Sequence, residues 1–162
     1  MDDLSLERRR PHHLPRERYE VAWQPVWFTS CTQDRRQFLV TGDAPDILTQ
    51  VLDDCAALCG CGLIAWWIMP DHLHLLGYVR EEGGSTWRLI EAIRRQSGYL
   101  LAAAGLTPPI WQRDFWDRHV RSHQDLDDVV AYILGNPVRA GLRESRDDWP
   151  HSALMGYPER FR

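Results

Sequence analysis

A chain of 162 residues that is 44% hydrophobic and carries 8 Trp has the length and apolar content for one domain with a real core, which excludes a disordered chain. No run reaches the roughly eighteen uninterrupted apolar residues of a membrane span, and the opening MDDLSLERRRPHHLPRERYE lacks the apolar segment of a secretory signal, so a cytoplasmic protein is expected. The net charge of -4 argues mildly against a nucleic-acid partner, yet all 19 basic residues are Arg and they cluster.

Residues 1–18 read as a flexible arm rich in Arg and Pro, residues 19–155 as one domain, and residues 156–162 as a short tail. Residues 19–31 (YEVAWQPVWFTSC) are rich in aromatic rings and Val and predict a first strand, in which Pro25 implies an edge position or a bulge. A helix is predicted over 44–59, with Asp43 as N-cap and Gly60 at its end. Its core face is the stripe Ile47, Leu48, Val51, Leu52, Cys55 and Leu58. Two strands follow at 63–69 and 72–79, turned by Pro70-Asp71. Ser85 caps a second helix reaching residue 104, with Leu89, Ile93, Leu100 and Leu101 inward and Arg88, Arg94 and Arg95 elsewhere. Residues 111–121 (WQRDFWDRHVR) alternate rings with charges, as an extended segment does. Ser122 with Asp125 starts a third helix that Pro137 stops. From residue 143 the chain is polar, with Trp149 to pack it. The order predicts an α+β fold, an antiparallel sheet with helices packed mainly on one face. Cys31, Cys55, Cys59 and Cys61 form no C-x-x-C pair, which predicts buried reduced thiols.

The chain is organised around MPDHLHLL, residues 69–76. On a strand, His72, His74 and Leu76 share one face while Leu73 and Leu75 face the other. Two imidazoles on one strand face are spaced to grip one metal ion, although an H-x-H alone is equally compatible with satisfied histidines. In the third helix Tyr132 and Asn136 stand at i and i+4 and project together. A tyrosine hydroxyl can serve as a covalent nucleophile and an amide oxygen as a hard ligand. From spacing alone Tyr132 is equally a half-buried helix aromatic, and Asn136-Pro137 an ordinary helix end. Tyr99 is the competing nucleophile, but its i+4 neighbour is Ala103, which ligates nothing. Residues 88–121 hold six Arg (Arg88, Arg94, Arg95, Arg113, Arg118 and Arg121) against three acids, a local excess of positive charge suited to phosphate. Trp111, Phe115 and Trp116 offer rings for base stacking, or core for at least two of the three.

MPDHLHLL resembles the histidine–hydrophobic–histidine motif of the HUH endonuclease superfamily. WQRDFWDRHVR, then DLDDVVAYILGNPVRAGL and DWPHSAL, resemble the single-tyrosine transposases, and among them the REP-associated tyrosine transposases of bacteria. The resemblance covers residues 63–154. It implies a ferredoxin-like HUH fold and Mg²⁺- or Mn²⁺-dependent cleavage of single-stranded DNA at a hairpin of the repetitive extragenic palindromic (REP) type. It further implies a 5′-phosphotyrosine intermediate on Tyr132, with His72, His74 and Asn136 as metal ligands. It implies a nucleoid-associated bacterial protein, monomeric or homodimeric. Arg88, Arg95, Arg113, Arg118 and Arg121 are the expected DNA contacts. Two other readings share these residues: a non-catalytic DNA-binding protein on the same fold, and a metal-dependent phosphodiesterase that uses water.

Overall fold

Alternation of side chains along a central strand sets the architecture. The computed structural model describes residues 13–145 and 149–158. The strands are β1 (Val26–Cys31), β2 (Cys61–Ile68), β3 (His72–Val79), β4 (Trp116–His119) and β5 (Ser152–Leu154). They form one antiparallel sheet in the order β4-β1-β3-β2-β5. The helices are α1 (Ala44–Leu58), α2 (Thr86–Ala103), α3 (His123–Leu134) and the short α4 (Asn136–Arg139). Through β4 this is the ferredoxin-like order β-α-β-β-α-β, and β5 extends it along the free edge of β2.

Each face of the sheet has its own core. Val26 and Phe28 of β1, Trp66 and Ile68 of β2, and Leu73 and Leu75 of β3 pack with Leu48, Leu52, Leu89 and Ile93 of α1 and α2. Trp27, Trp67 and Leu76 point the other way and meet Leu126, Val129, Val130 and Ile133 of α3. The two long helices therefore share one face, as expected, and α3 covers the other. A bulge in β2 between Leu63 and Ala65 turns Ile64 and Ala65 together onto the α3 side.

Several expectations are corrected. β1 is an interior strand that begins after Pro25, so the proline occupies neither an edge strand nor a bulge; its carbonyl accepts from Val120 N. Residues 16–20 form a 3₁₀ turn instead of continuing the arm or starting the strand. Residues 1–12 of the expected arm lie outside the described residues. His13, however, donates from Nδ1 to Asp117 (2.6 Å) and packs its ring on Trp87 and Phe115, while Arg16 lies over the Trp87 ring. Asp43 precedes α1 without a side-chain cap, and Pro45 in the first turn helps set the helix. Leu58 is 82% exposed and Leu100 also faces solvent, since each stands at the margin of its helix stripe. Pro137 starts α4 instead of ending α3. Residues 152–154 form β5, and Trp149 is anchored by its indole N–H on the Ile68 carbonyl. None of the four cysteines forms a disulfide; Cys55 and Cys61 are buried, which pushes them up to about 11 and about 12, while Cys31 and Cys59 are half-buried. Among the described residues no helix is long and apolar enough to cross a membrane.

Two packed details generate tests. The loop after α1 meets the loop before α2, with Arg80 N and Glu81 N donating to the Gly60 carbonyl. A Cβ on Gly84 would lie 2.6 Å from Gly60 O and 3.0 Å from Glu81 O, both backbone atoms that cannot yield cheaply. Gly84→Ala is expected to cost about 1–3 kcal/mol, read from the urea midpoint at unchanged slope.

His74 is 3% exposed beneath the α3 side of the sheet. Burial holds its protonation well below the ordinary imidazole value, and the positive fields of His72, Arg139 and Arg35 act in the same direction. The unfolded chain therefore takes up this proton first as pH falls. The neutral ring's contribution is complete above about pH 6.5 and is lost progressively below it, at up to about 1.4 kcal/mol per pH unit. His119 and His151 shift the same way through burial. The metal-free protein should lose stability between pH 7 and 5, and His74→Gln should flatten that slope in urea titrations at each pH.

Candidate active site

The central position of β3 brings the two histidines under α3 and α4. β1 pairs Thr29 with His74 and Cys31 with His72, and β2 pairs Trp67 with His74, so both rings stand on the α3 face. Their centroids are 4.7 Å apart. The amide nitrogen of Asn136, at the start of α4, lies 2.5 Å from His74 Nε2 and 3.3 Å from His72 Nε2. One NH₂ group thus bridges two imidazoles through their Nε2 atoms.

The far side of each ring is held by polar neighbours, which for His72 fix the tautomer. His72 Nδ1 donates to Asp71 Oδ1 at 2.7 Å, and Asp71 Oδ2 accepts from Arg35 Nε at 3.0 Å. Burial raises the Asp71 carboxyl, but the hydrogen bond from His72 and the charges of His72 and Arg35 outweigh it and hold the group below the usual carboxylate range. Arg35 and its neighbour Asp34 both have left-handed backbone, φ 55° and 57°, which is strained for residues other than glycine and aims the Arg35 side chain at this carboxylate. His74 Nδ1 lies 2.9 Å from Thr29 Oγ1, and the indole N–H of Trp27 is directed at the same nitrogen at 3.4 Å. The His72 Nε2 lone pair is consequently free to bind, and the Nε2 atoms of both rings converge on one side chain.

That convergence fits a divalent cation. Rotating the Asn136 amide by half a turn exchanges Nδ2 for Oδ1 in almost the same place, converting the bridge between the imidazoles into a third ligand. Among the described residues no group of three His, Cys, Asp or Glu side chains could hold a metal, so an amide oxygen is the available third donor.

Tyr132, four residues earlier, is half-buried on α3. Its ring centroid lies 6.4 Å from that of His74 and 5.5 Å from that of Trp27. Ser122 accepts from Asp125 N, and Asp125 in turn holds Arg121 N and the Arg118 guanidinium, which secures the start of the helix that carries Tyr132. Tyr99 lies exposed on the outer face of α2, on the other side of the sheet from the histidines.

The expected arginines do not form one surface. Arg118, paired with Trp27 across β1 and β4, stands on the histidine face, and Arg121 adjoins the start of α3. Arg88 and Arg95 are exposed on α2, behind the sheet, and Arg113 lies in the segment between α2 and β4. Trp111 and Phe115 are core of the α1–α2 side, and Trp116 is the ring half-exposed beside Trp27. Sequence reasoning missed Asp71, Arg35, Thr29 and Arg139. Asp71 was signalled by standing directly before His72, whereas Arg35 and Thr29 reach the site only through strand pairing and a turn.

Comparison with known proteins agrees with this arrangement. Residues 18–136 match the family model described as "Transposase IS200 like". A REP-associated tyrosine transposase of Escherichia coli K12 is 35% identical over 93 residues, 56% of this chain and 52% of the relative, so the match spans about half of that protein. A Haemophilus influenzae protein provisionally given the same description is 28% identical over 79% of this chain and 78% of its own. A solved REP-associated tyrosine transposase, bound to a REP hairpin, superposes with a TM-score of 0.70 at 29% identity, covering 83% of this chain and 78% of that one. The antiparallel sheet and its helices are those of the HUH fold, and the chain belongs to the IS200-like transposase family, with REP-associated tyrosine transposases among its relatives.

Proposed function

We propose that the protein is a metal-dependent single-stranded DNA endonuclease and transposase that cuts and rejoins DNA at REP-like hairpins through a 5′-phosphotyrosine on Tyr132. The observation that carries this reading is the proximity of a helix-borne tyrosine to two strand-borne histidines whose Nε2 atoms share the Asn136 amide. The hairpin bound by the structural relative supports the substrate class.

Tyr132 Oη attacks the scissile phosphorus, and the bond from phosphorus to the 3′ oxygen breaks. The phenol gives up its proton in the attack, and the departing oxygen takes one up as a free 3′-OH. A 3′-OH attacking the phosphotyrosine reverses these steps, so rejoining needs no ATP, and no GxxxxGK[ST] phosphate loop is found in the sequence. His72, His74 and Asn136 would hold Mg²⁺ or Mn²⁺, which would polarise the phosphodiester; imidazole ligation favours Mn²⁺. Asp71 and Arg35 keep the His72 proton on Nδ1, and Thr29 and Trp27 hold the His74 ring in place from its Nδ1 side. Arg118 and Arg121 take phosphates beside the site and Trp116 stacks a base. Arg88, Arg95 and Arg113 serve only DNA that wraps the sheet.

The test is transfer of label from a hairpin oligonucleotide, labelled 3′ of the cleavage site, to the denatured protein in Mn²⁺. Label appears with the wild type, and Tyr132→Phe loses both labelled protein and cleavage. Free product without labelled protein would establish the water-using phosphodiesterase instead, and binding without product a non-catalytic DNA-binding protein. His72→Ala should lower metal-dependent cleavage by about 100-fold or more while gel-shift affinity for the hairpin is retained, because the ring, held between Asp71 and Asn136, acts on the metal and not on the DNA backbone.

A further inference from the structure

Arg139 has no part in the metal site or in its support, yet the chain is shaped around it. Its guanidinium carbon lies 4.2 Å over the Tyr132 ring, and one of its terminal nitrogens donates to the Tyr132 carbonyl at 2.5 Å. The other N–H groups of the fork make no hydrogen bond among the described residues, and the residue is exposed. Its charge also reaches His74. Gly135 supplies an independent observation. Its backbone is ordinary helix, φ -77°, which every L residue adopts, so conformation does not call for glycine. A Cβ at this position would instead lie 2.6 Å from Arg139 Nη1. The guanidinium thus occupies the space a side chain at this position would take, and an Ala here would turn the flexible end of Arg139 aside.

A planar cation fixed on the ring of a nucleophile, with donors still open to solvent, is suited to a tetrahedral anion brought to that nucleophile. We infer that Arg139 is a phosphate-contacting residue: anchored on the Tyr132 carbonyl and seated by Gly135, it holds a non-bridging oxygen of the scissile phosphate against Tyr132. This rests on the proposed phosphotyrosine chemistry. The segment Gly135-Asn136-Pro137-Val138-Arg139 then delivers both the third metal ligand and the phosphate clamp from one short turn.

The experiment uses a hairpin oligonucleotide whose cleavage site has been mapped with the wild type, and a second copy carrying a neutral methylphosphonate at the scissile position. Affinities are measured in Mn²⁺ with Tyr132→Phe, which binds without turnover, and with Tyr132→Phe/Arg139→Gln. With Arg139 present, the methylphosphonate should weaken binding by about tenfold or more, the strength of a charge-assisted hydrogen bond. With Arg139→Gln it should weaken it little. An equal loss in both proteins overturns the inference, because a guanidinium that merely tied α4 to α3 would not sense the charge of one phosphate. Gly135→Ala, which displaces the guanidinium without removing it, should slow cleavage in an otherwise wild-type chain at unchanged circular dichroism. Adding Arg139→Gln should slow it no further, and fully additive losses also overturn the inference. A wild type that labels itself on Tyr132 but shows neither coupling removes Arg139 alone, whereas absence of any labelled protein removes the phosphotyrosine reading together with it.

Discussion

The register of β3 is the constraint on which the site depends. The strand is interior, hydrogen-bonded to β1 on one side and β2 on the other. A slip of one residue would exchange its two faces, burying His72 and His74 among the helices α1 and α2 and turning Leu73 and Leu75 toward α3. The leucines forbid this, since both are fully enclosed in the larger core. Hydrophobic burial on one face thus fixes the position of metal-ligating chemistry on the other. The polar partners add precision at the rings themselves: Thr29 comes from the neighbouring strand and Asp71 from the turn, and each meets the Nδ1 of one ring. The same geometry keeps His74 neutral, since a ring this deeply buried cannot take a second proton cheaply.

The nucleophile comes from a separate element, and its placement rests on the second core. α3 lies on Trp27, Trp67 and Leu76 through Leu126, Val129, Val130 and Ile133. This stripe leaves Tyr132 at its margin, half in the core and half toward the histidines. Gly135 then separates α3 from α4, and Pro137 in the first turn of α4 makes the restart favourable because its missing N–H is not needed there. The break sends Asn136 into the histidine pair instead of along the axis of α3. Ligand and nucleophile are close in sequence but oriented by different helices.

Much of this was legible in the chain. The alternation HLHLL determines which residues share a face whatever the tertiary context, and the Tyr132/Asn136 spacing survives the helix break because one turn still separates them. What was not legible depended on neighbours distant in sequence. Pro25 suggested an edge, but the strand simply starts after it, so the proline forfeits no ladder bond. Leu58 and Leu100 fit helix stripes, yet each stands at the margin of its stripe and faces solvent. The polar stretch around residues 152–154 pairs with β2 because that edge is open and Trp149 docks beside it. The arginines were read as a single cluster because they are close in sequence, whereas the sheet divides them between two faces.

That division bears on how an acidic chain can face DNA. The net charge of -4 describes the whole surface, but a phosphate near Tyr132 senses charges within about one Debye length, roughly 10 Å at moderate salt. Asp53 and Asp54 are exposed on α1, beyond the sheet from the histidines. Asp127 is engaged by the Tyr157 hydroxyl, and Asp125 by Arg118 and the start of α3. Asp71 lies beside the site, but it is matched by Arg35. Asp71 and Asp125 are thus matched by guanidinium groups, Asp127 and Asp128 keep their charge at hydrogen bonds from the neutral Tyr157 hydroxyl and Gln124 amide, and Arg139 remains exposed at the tyrosine. A fold that pairs the carboxylate beside its histidines and leaves a guanidinium open at the nucleophile needs no overall positive charge to attract an anion there, because the local field and not the sum sets the attraction.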